Sequence, residues 1–331
     1  MADWLEPRPA GAPVGVVCGT MNFGKRTPED EAHRIVARAL ERGVTLFDTA
    51  NAYGDSELIL GRALKGRRDA RIATKVGSRP VEGGREGLRA EVMLRACDES
   101  LRRLGVDRVD LYYLHWPDMR TPLDETLSAL QKLVRAGKIA HWGISNYASW
   151  QLVDMERICE RIGLERPRTA QQMYNLLVRQ LDVEWWAFAR QHPIHTTVYN
   201  PLAGGLLAGR ALRVPPPKGS RFDANKMYQR RYLSDRFFEV VEQYSELARE
   251  AGLTPVELAY GWLASRPVVD SVLLGPADVS QLDAGIDACA KPASRGPRRT
   301  HRRNPPRVHG DGRHVRASRL AAGATLFEAR A

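Results

Sequence analysis

The sequence has few cysteines and no long uninterrupted hydrophobic segment. Its four cysteines, Cys18, Cys97, Cys159 and Cys289, are scattered and show neither CxxC pairs nor zinc-type spacing. This pattern argues against a disulfide framework and against a metal site, and it is typical of the reducing cytoplasm. No apolar run approaches the about 18 residues that a transmembrane helix requires. Residues 1–9 also lack the basic and apolar regions of a secretory signal.

The net charge of +11 is distributed unevenly. The segment 291–331 holds 11 basic and two acidic residues and carries +9, whereas residues 1–290 carry only +2. The nearly neutral body gives no reason to expect a nucleic-acid partner. We therefore predict one folded domain over residues 1–290 and a disordered Arg/Pro-rich tail, which has too few apolar residues to bury. Three explanations of the tail stay open: a segment for binding polyanions, a solvated tail without function, and out-of-frame translation of a GC-rich gene.

Short apolar segments alternate with longer helical patterns. Eight of them predict strands: Val14–Cys18, Thr45–Phe47, Arg71–Thr74, Leu111–Leu114, His141–Ile144, Thr169–Met173, His195–Val198 and Ser271–Leu274. A threonine cap followed by proline marks three helix starts, at residues 27–28, 121–122 and 254–255. Eight strand–helix units over about 270 residues predict a (β/α)8 TIM barrel of the α/β class. An open doubly wound sheet is the alternative, but residues 19–24 lack Gly-x-Gly-x-x-Gly spacing.

Polar side chains end three successive predicted strands. Asp48, Lys75 and His115 each follow an apolar segment directly, and Tyr53 lies in the loop after Asp48. Because the carboxyl ends of barrel strands meet at one mouth, we expect these four side chains to be neighbours. A lysine cation would lower the pKa of a nearby phenol, the aspartate would keep the lysine charged, and a neutral histidine would orient a carbonyl group. This set predicts a general acid for a carbonyl oxygen.

Several segments then resemble the signatures of the aldo-keto reductase family: residues 48–54, 74–75, 111–118 and 143–147. The similarity runs in order from about Val14 to Ala290. Residues 171–175 and 199–207 are most similar to the aflatoxin-aldehyde and succinic-semialdehyde reductase branch. The resemblance implies a cytoplasmic enzyme that reduces an aldehyde or ketone to an alcohol by hydride transfer. It also implies a catalytic tetrad with Tyr53 as proton donor, made of Asp48, Tyr53, Lys75 and His115.

The resemblance implies a nicotinamide dinucleotide cofactor. Ser145, Asn146 and Gln171 would hold its carboxamide, and Tyr199 would stack on the ring. Further cofactor contacts are implied for Gly19, Thr20, Met21, Asp48, Asn200, Pro201, Leu202, Gly204, Leu206, Gly209, Arg210, Gly275 and Gln281. NADPH is the cofactor expected from the family. However, residues 277–278 offer no basic group for its 2′-phosphate, Asp278 could repel that group, and Gly285 stands where the family has Asn, so NADH stays open.

The predicted substrate is a small-molecule carbonyl compound. Its pocket is expected to use the side chains of Met21, Phe23, Tyr53, His115, Trp116, Tyr147, Arg221 and Arg231. The two arginines, with Arg230, belong to a long Gly/Pro/basic loop predicted over residues 204–232, where one could hold a carboxylate. A homodimer stays open. So does an alternative function, a cofactor-binding regulatory subunit similar to potassium-channel β subunits, which keep the tetrad but serve a partner.

Overall fold

Eight parallel strands close into a barrel, which confirms the predicted (β/α)8 fold. The computed structural model describes residues 4–209, 218, 220–223 and 225–291. Each barrel strand pairs with the strands before and after it, and the last pairs with the first. The barrel strands are β1 (Gly15–Gly19), β2 (Leu46–Asp48), β3 (Arg71–Val76), β6 (Val109–Leu114), β7 (Ile139–Ser145), β8 (Thr169–Met173), β9 (His195–Tyr199) and β10 (Ser271–Leu274). A short hairpin follows β3 and consists of β4 (Pro80–Val81) and β5 (Gly84–Arg85).

Amphipathic helices surround the barrel and bury their apolar faces against it. They are α1 (Glu29–Glu41), α2 (Ser56–Ala63), α3 (Ala90–Leu104), α4 (Leu123–Arg135), α5 (Ser149–Ile162), α6 (Trp185–Gln191), α7 (Lys226–Tyr232), α8 (Asp235–Glu250), α9 (Pro255–Ala264) and α10 (Val279–Ala290). The loop predicted over residues 204–232 is wrong in part. A 3₁₀ helix spans Ala203–Ala208 and α7 occupies the loop's last seven residues, because Tyr228 and Tyr232 are buried in a second apolar cluster.

The three predicted threonine caps behave differently. Thr254 accepts a hydrogen bond from the third residue of α9 and completes a capping box, as predicted. At α1 and α4 the prediction is wrong, because the proline itself occupies the N-cap position and no side chain caps the helix. Thr27 and Thr121 lie one residue further out, and their hydroxyls donate instead to the Ala277 carbonyl (3.0 Å) and the Asp118 carboxylate (2.8 Å).

The N-terminal residues close the barrel end opposite the mouth. Leu5 is buried against Leu111 and Tyr113 inside the barrel, with Trp4 packed beside it. The Arg8 guanidinium donates hydrogen bonds to the carbonyls of three other residues nearby. Nothing in the sequence pattern predicted this closure, because residues 4–8 show no strand or helix periodicity.

Some sequence predictions concern residues outside the described ones. These are Arg210, the prolines 215–217 and the tail beyond Lys291; α10 itself ends at Ala290. Among the described helices, none has the length and apolar character needed to span a membrane. The described residues also contain no cluster of three or more His, Cys, Asp or Glu side chains placed to hold a metal ion. All four cysteines are free thiols and buried.

Candidate active site

A buried ion pair lies at the mouth of the barrel. Asp48 is the last residue of β2, Lys75 belongs to β3, and both side chains are almost completely buried. The Lys75 ammonium donates to Asp48 Oδ1 and to the Thr49 carbonyl (2.7 Å). The Gln171 side-chain amide donates to Asp48 Oδ2 (2.8 Å). Both carboxylate oxygens are therefore engaged, and the pair has a fixed geometry.

Burial and charge act in opposite directions on this pair. Burial raises the pKa of Asp48, and the neighbouring ammonium opposes that rise. Burial likewise lowers the pKa of Lys75, and the carboxylate of Asp48 opposes that fall. Each group thus favours the ionised form of the other.

Tyr53 and His115 complete the predicted set at the same place. The Tyr53 hydroxyl is 3.5 Å from His115 Nε2, and the two rings meet edge to face with centroids 5.7 Å apart. The Lys75 ammonium lies 5.0 Å from the centroid of the Tyr53 ring. The structure therefore brings all four side chains together.

The direction of the Tyr53 pKa differs from the expectation. We expected Lys75 to lower it, but the pKa of Tyr53 is raised well above its usual value, first by burial and then by the charge of Asp48. The Arg221 guanidinium opposes this rise. The expected direction is wrong because burial of the phenol has the largest effect, and the charge of Asp48 acts in the same direction. The protonated phenol is therefore the form of Tyr53 present at neutral pH.

His115 is neutral. Burial lowers its pKa well below the usual value, and the charges of Lys75 and Arg85 lower it further. Its Nδ1 lies 2.9 Å from the Ser78 hydroxyl. When that hydroxyl donates to Nδ1, the proton of the imidazole resides on Nε2, beside Tyr53. Ser78 was missed from the sequence, because its only signal is a place two residues after β3.

The residues predicted to bind the nicotinamide carboxamide lie beside the tetrad. Asn146, with a left-handed φ of 66°, donates to the Ser145 hydroxyl and to the His115 carbonyl, each at 3.0 Å. The Tyr199 hydroxyl donates to Asn146 Oδ1 (2.6 Å), and Gln171 contacts the tetrad through Asp48. Amide and hydroxyl groups of this kind complement a carboxamide, so these residues fit a nicotinamide ring.

The turn after β9 is shaped by residues with left-handed backbone. Asn200 has φ 61°, and its side chain accepts a hydrogen bond from the Gly204 amide (2.8 Å). A Cβ on Gly204, whose φ is 74°, would lie 2.9 Å from the Tyr228 ring, so only glycine fits. At Gly205 the corresponding space is open. The turn therefore permits a ligand to approach the backbone, as the predicted diphosphate contact requires.

Four other predicted cofactor residues belong to the same turn. Pro201 and Leu206 are buried, Leu202 is half-buried, and Gly209 has a left-handed φ of 73°. The Leu206 side chain packs in the second apolar cluster, so any contact with a cofactor would come from its backbone.

The loops after β1 and β10 are joined by Asn22. Its amide donates to the carbonyls of Gly275 and Pro276, both at 3.0 Å. Arg221 donates to Asn22 Oδ1 (2.9 Å) and lies beside Gly275. Arg221, which was predicted to bind substrate, lies between these two loops, and its charge also acts on the pKa of Tyr53.

Gly19, Thr20 and Gly285 have structural roles in β1, in the loop after β1 and in α10. A Cβ on Gly19 would lie 2.9 Å from the Leu274 carbonyl oxygen, a backbone atom of β10, so the close approach of β1 and β10 requires glycine. The Thr20 hydroxyl donates to the Asp48 carbonyl (3.0 Å) and thereby ties the β1 loop to β2. A Cβ on Gly285 would meet the Leu274 side chain at 3.0 Å, so a larger residue there would require that side chain to shift.

The start of α10 satisfies its own polar groups. Asp278 is the N-cap and accepts a hydrogen bond from the Gln281 amide (2.9 Å). The Gln281 side chain contacts the Asp278 carboxylate (2.5 Å) and the Ala277 amide (3.1 Å). Gln281 is therefore turned toward the helix cap in this structure.

The predicted substrate rim is partly aromatic. Trp116 is stacked by the Arg85 guanidinium at 4.5 Å, and the Tyr147 hydroxyl donates to the Trp116 carbonyl (3.3 Å). Met21 is half-buried and lies two residues after β1. Phe23 has no exposed surface and packs in the main core, so its side chain does not line an open pocket.

Arg231, which was also predicted for this rim, packs on α7 instead. Its guanidinium lies over the rings of Tyr228 and Tyr232, at 5.8 and 6.0 Å. A cavity of about 220 Å³ adjoins the rim beside Tyr147 and Trp150. The larger cavity, about 410 Å³ between α2 and α3, also contacts the first residues of β3 and β6 and is remote from the tetrad.

Comparison with known proteins agrees with this geometry. The family described as "Aldo/keto reductase family" matches residues 15–295. The chain is 36% identical over 294 residues to an uncharacterized oxidoreductase, YrpG, of Bacillus subtilis (84% of this chain, 88% of the relative). It is 34% identical to human aflatoxin B1 aldehyde reductase member 2 (85% and 83%) and 32% identical to a probable voltage-gated potassium channel subunit beta of Arabidopsis thaliana (81% and 84%). Because the family match covers residues 15–295 and these relatives are 32–36% identical over more than four-fifths of the chain, the chain belongs to the aldo/keto reductase family.

Proposed function

We propose that this oxidoreductase is an NAD(P)H-dependent enzyme that reduces an aldehyde or ketone to an alcohol. The observation that carries the proposal is the position of the protonated Tyr53 hydroxyl, 3.5 Å from the neutral His115 imidazole and above the buried Lys75–Asp48 pair. A proton donor, a hydrogen-bond donor for a carbonyl oxygen and a buried cation are the groups that this reduction requires.

The dinucleotide, when bound, supplies a hydride to the carbonyl carbon. Tyr53 donates its proton to the carbonyl oxygen, and His115 Nε2 orients that oxygen through a hydrogen bond. As the phenol loses its proton, the ammonium of Lys75 stabilises the phenolate. Asp48 and the Thr49 carbonyl hold Lys75 in place for this step.

The decisive experiment compares the wild-type chain with Tyr53→Phe. Oxidation of NADPH by 4-nitrobenzaldehyde or succinic semialdehyde should proceed in the wild type and fall at least about 100-fold in the variant. NADPH binding, followed by cofactor fluorescence, should persist in both. Tyr244→Phe is the control, because the hydroxyl of this α8 residue donates to the Leu176 carbonyl (3.4 Å), so its removal should leave turnover unchanged.

Turnover also separates the two functions that the sequence left open. Tight NADPH binding by the wild type with no oxidation of it by either aldehyde would contradict the reductase proposal. It would favour a regulatory subunit, the role in the name of the Arabidopsis relative.

For the cofactor we propose NADPH. Residues 277–278 bring no basic group, but Arg221 places a guanidinium beside Gly275, where the loop after β10 begins. Steady-state kcat/KM for NADPH and NADH tests the choice, and Arg221→Gln should lower the value for NADPH more than that for NADH. A strong preference of the wild type for NADH would refute it.

The compartment that we propose is the cytoplasm. Four buried free thiols suit a reducing environment. Intact function of the chain in the cytosolic fraction of cells, and its absence from membrane fractions, would support this assignment.

A further inference from the structure

A second ion pair, with a half-buried arginine, lies behind the tetrad between α2 and α3. The Glu57 carboxylate on α2 is completely buried, and Arg103 on α3 donates to its Oε2 (3.1 Å). The Thr74 hydroxyl donates to the other carboxylate oxygen (2.7 Å). Arg103 also donates from its guanidinium to the Gly54 carbonyl. None of these four residues was predicted to contact substrate or cofactor.

The two branches of this network end next to catalytic residues. Gly54 directly follows Tyr53 in the loop after β2, and its left-handed φ of 64° forms the turn that leads into α2. Thr74 directly precedes Lys75 in β3. Because successive side chains of a strand point to opposite faces, Thr74 faces the helices while Lys75 faces the barrel mouth. The Glu57–Arg103 pair is therefore hydrogen-bonded both to the loop that carries Tyr53 and to the strand that carries Lys75.

We propose that Glu57 and Arg103 are positioning residues that hold Tyr53 and Lys75 in register for proton transfer. This inference rests on the proposed reductase function. Neither residue touches the reacting atoms; Arg103 acts through the Gly54 carbonyl and Glu57 acts through Thr74.

A purely structural role would not require these charges. A buried ion pair is often no more stabilising than apolar residues of similar volume, because both charges lose their hydration. What apolar residues could not supply is the pair of directed hydrogen bonds, one to the Gly54 carbonyl and one from the Thr74 hydroxyl. Since a displacement of about 1 Å in a catalytic group can reduce the rate about 100-fold, such bonds have a direct catalytic value.

Charge gives Glu57 a second route to Lys75. The groups that face the Lys75 ammonium are the Asp48 carboxylate, the Thr49 carbonyl, the rings of Tyr53 and Tyr113, and the His115 imidazole. The Glu57 carboxylate acts from α2, and its charge raises the pKa of Lys75 against the larger effect of burial. Glu57 thus favours the protonated form of Lys75.

The first test is Arg103→Lys, which keeps the positive charge but removes the forked guanidinium. We expect kcat to fall about 10- to 100-fold, while the dissociation constant of NADPH changes less than about twofold. Arg168→Lys is the matched control. Arg103 pairs with the carboxylates of Glu57 and Asp55. Arg168 is likewise half-buried and pairs with two carboxylates, Glu6 and Glu165, but it directly precedes β8 and lies away from the mouth. Arg168→Lys should lower the melting temperature and leave kcat unchanged.

The second test separates the two branches. Glu57→Gln should move the alkaline limb of the pH profile of kcat/KM to lower pH, because Lys75 then loses its proton more readily. Arg103→Lys should leave that limb in place. Thr74→Val keeps the Glu57 charge and the side-chain shape, so it reports on the hydrogen bond alone and should lower kcat without moving the limb.

Two results would overturn the inference. The first is that Arg103→Lys and Thr74→Val both fold and keep the kcat of an active wild type. The other is an equal loss of kcat in Arg168→Lys, which would show a general effect of reduced stability. If the wild type itself reduces no aldehyde while still binding NADPH, the proposed function fails as well, and the two failures are thereby distinguished.

Discussion

His115 is almost fully buried, and its imidazole titrates far below the usual value of 6.5. Below about pH 6.5 an exposed histidine in the unfolded chain binds a proton that folded His115 does not, so acid favours unfolding. We expect this residue to reduce the free energy of unfolding by up to about 1.4 kcal/mol for each pH unit below that point. Urea unfolding measured from pH 7 to pH 5 should show that the free energy of unfolding falls with pH in the wild type and falls less steeply in His115→Gln. An identical slope in both would contradict the assignment of a neutral imidazole.

Position and charge state differ in how far they follow from sequence. Asp48, Lys75 and His115 could be placed together because each directly follows an apolar strand, and parallel strands of a barrel end at one mouth. The direction of the pKa shift of Tyr53 could not be predicted from sequence, because it depends first on burial and then on the charge of Asp48. Arg103 was missed for a related reason: helix packing, which the local sequence pattern does not contain, brings it to Gly54.

At the scale of elements, α2 and α3 approach each other at a glycine. A Cβ on Gly61 would lie 2.8 Å from the Cα of Leu104 and closer still to its carbonyl oxygen, both backbone atoms that cannot move aside. Although alanine normally favours a helix, Gly61→Ala should therefore lower the free energy of unfolding by about 1–3 kcal/mol. Because α2 also carries Glu57, the same change should reduce turnover.

Gly261 in α9 provides the control for this prediction. A Cβ there would meet only the Ala288 carbonyl, at 4.0 Å, so Gly261→Ala should be neutral or stabilising by up to about 1 kcal/mol. Thermal and urea unfolding of the two variants make the comparison. Equal stabilities for Gly61→Ala and the wild type would show that α2 and α3 can separate without penalty.

Helix boundaries show where local patterns stop being informative. The same threonine–proline signal caps α9 but not α1 or α4. At α1 and α4 the helix begins one residue later than predicted, so Thr27 and Thr121 lie outside the N-cap position, and their hydroxyls donate to the Ala277 carbonyl and the Asp118 carboxylate. Strand positions were more robust, because all eight apolar segments are buried in the barrel and each lies within one residue of an observed strand or inside it.

For the whole molecule, the uneven charge has a structural counterpart. The barrel and its helices, which end with α10 at Ala290, coincide closely with the nearly neutral part of the chain. The match to the aldo/keto reductase family ends nearby, at residue 295. The excess of +9 beyond residue 290 is therefore not needed to explain the fold or the mouth. We expect the affinity of the chain for nucleic acid or heparin to depend on the basic residues beyond residue 290 alone.

The two ends of the barrel should respond independently to mutation. Leu5 fills the end opposite the mouth, against Leu111 and Tyr113, so Leu5→Ala should lower the free energy of unfolding by about 2–5 kcal/mol. The hairpin residue Val81 is 46% exposed, and Val81→Ala should change the free energy of unfolding by less than about 0.5 kcal/mol. Since neither residue contacts the tetrad, kcat at 25 °C should match the wild type in both variants. Urea unfolding followed by tryptophan fluorescence, with aldehyde turnover on the same samples, tests this. A fall in kcat in folded Leu5→Ala would show that closure of the far end also supports the geometry of the mouth.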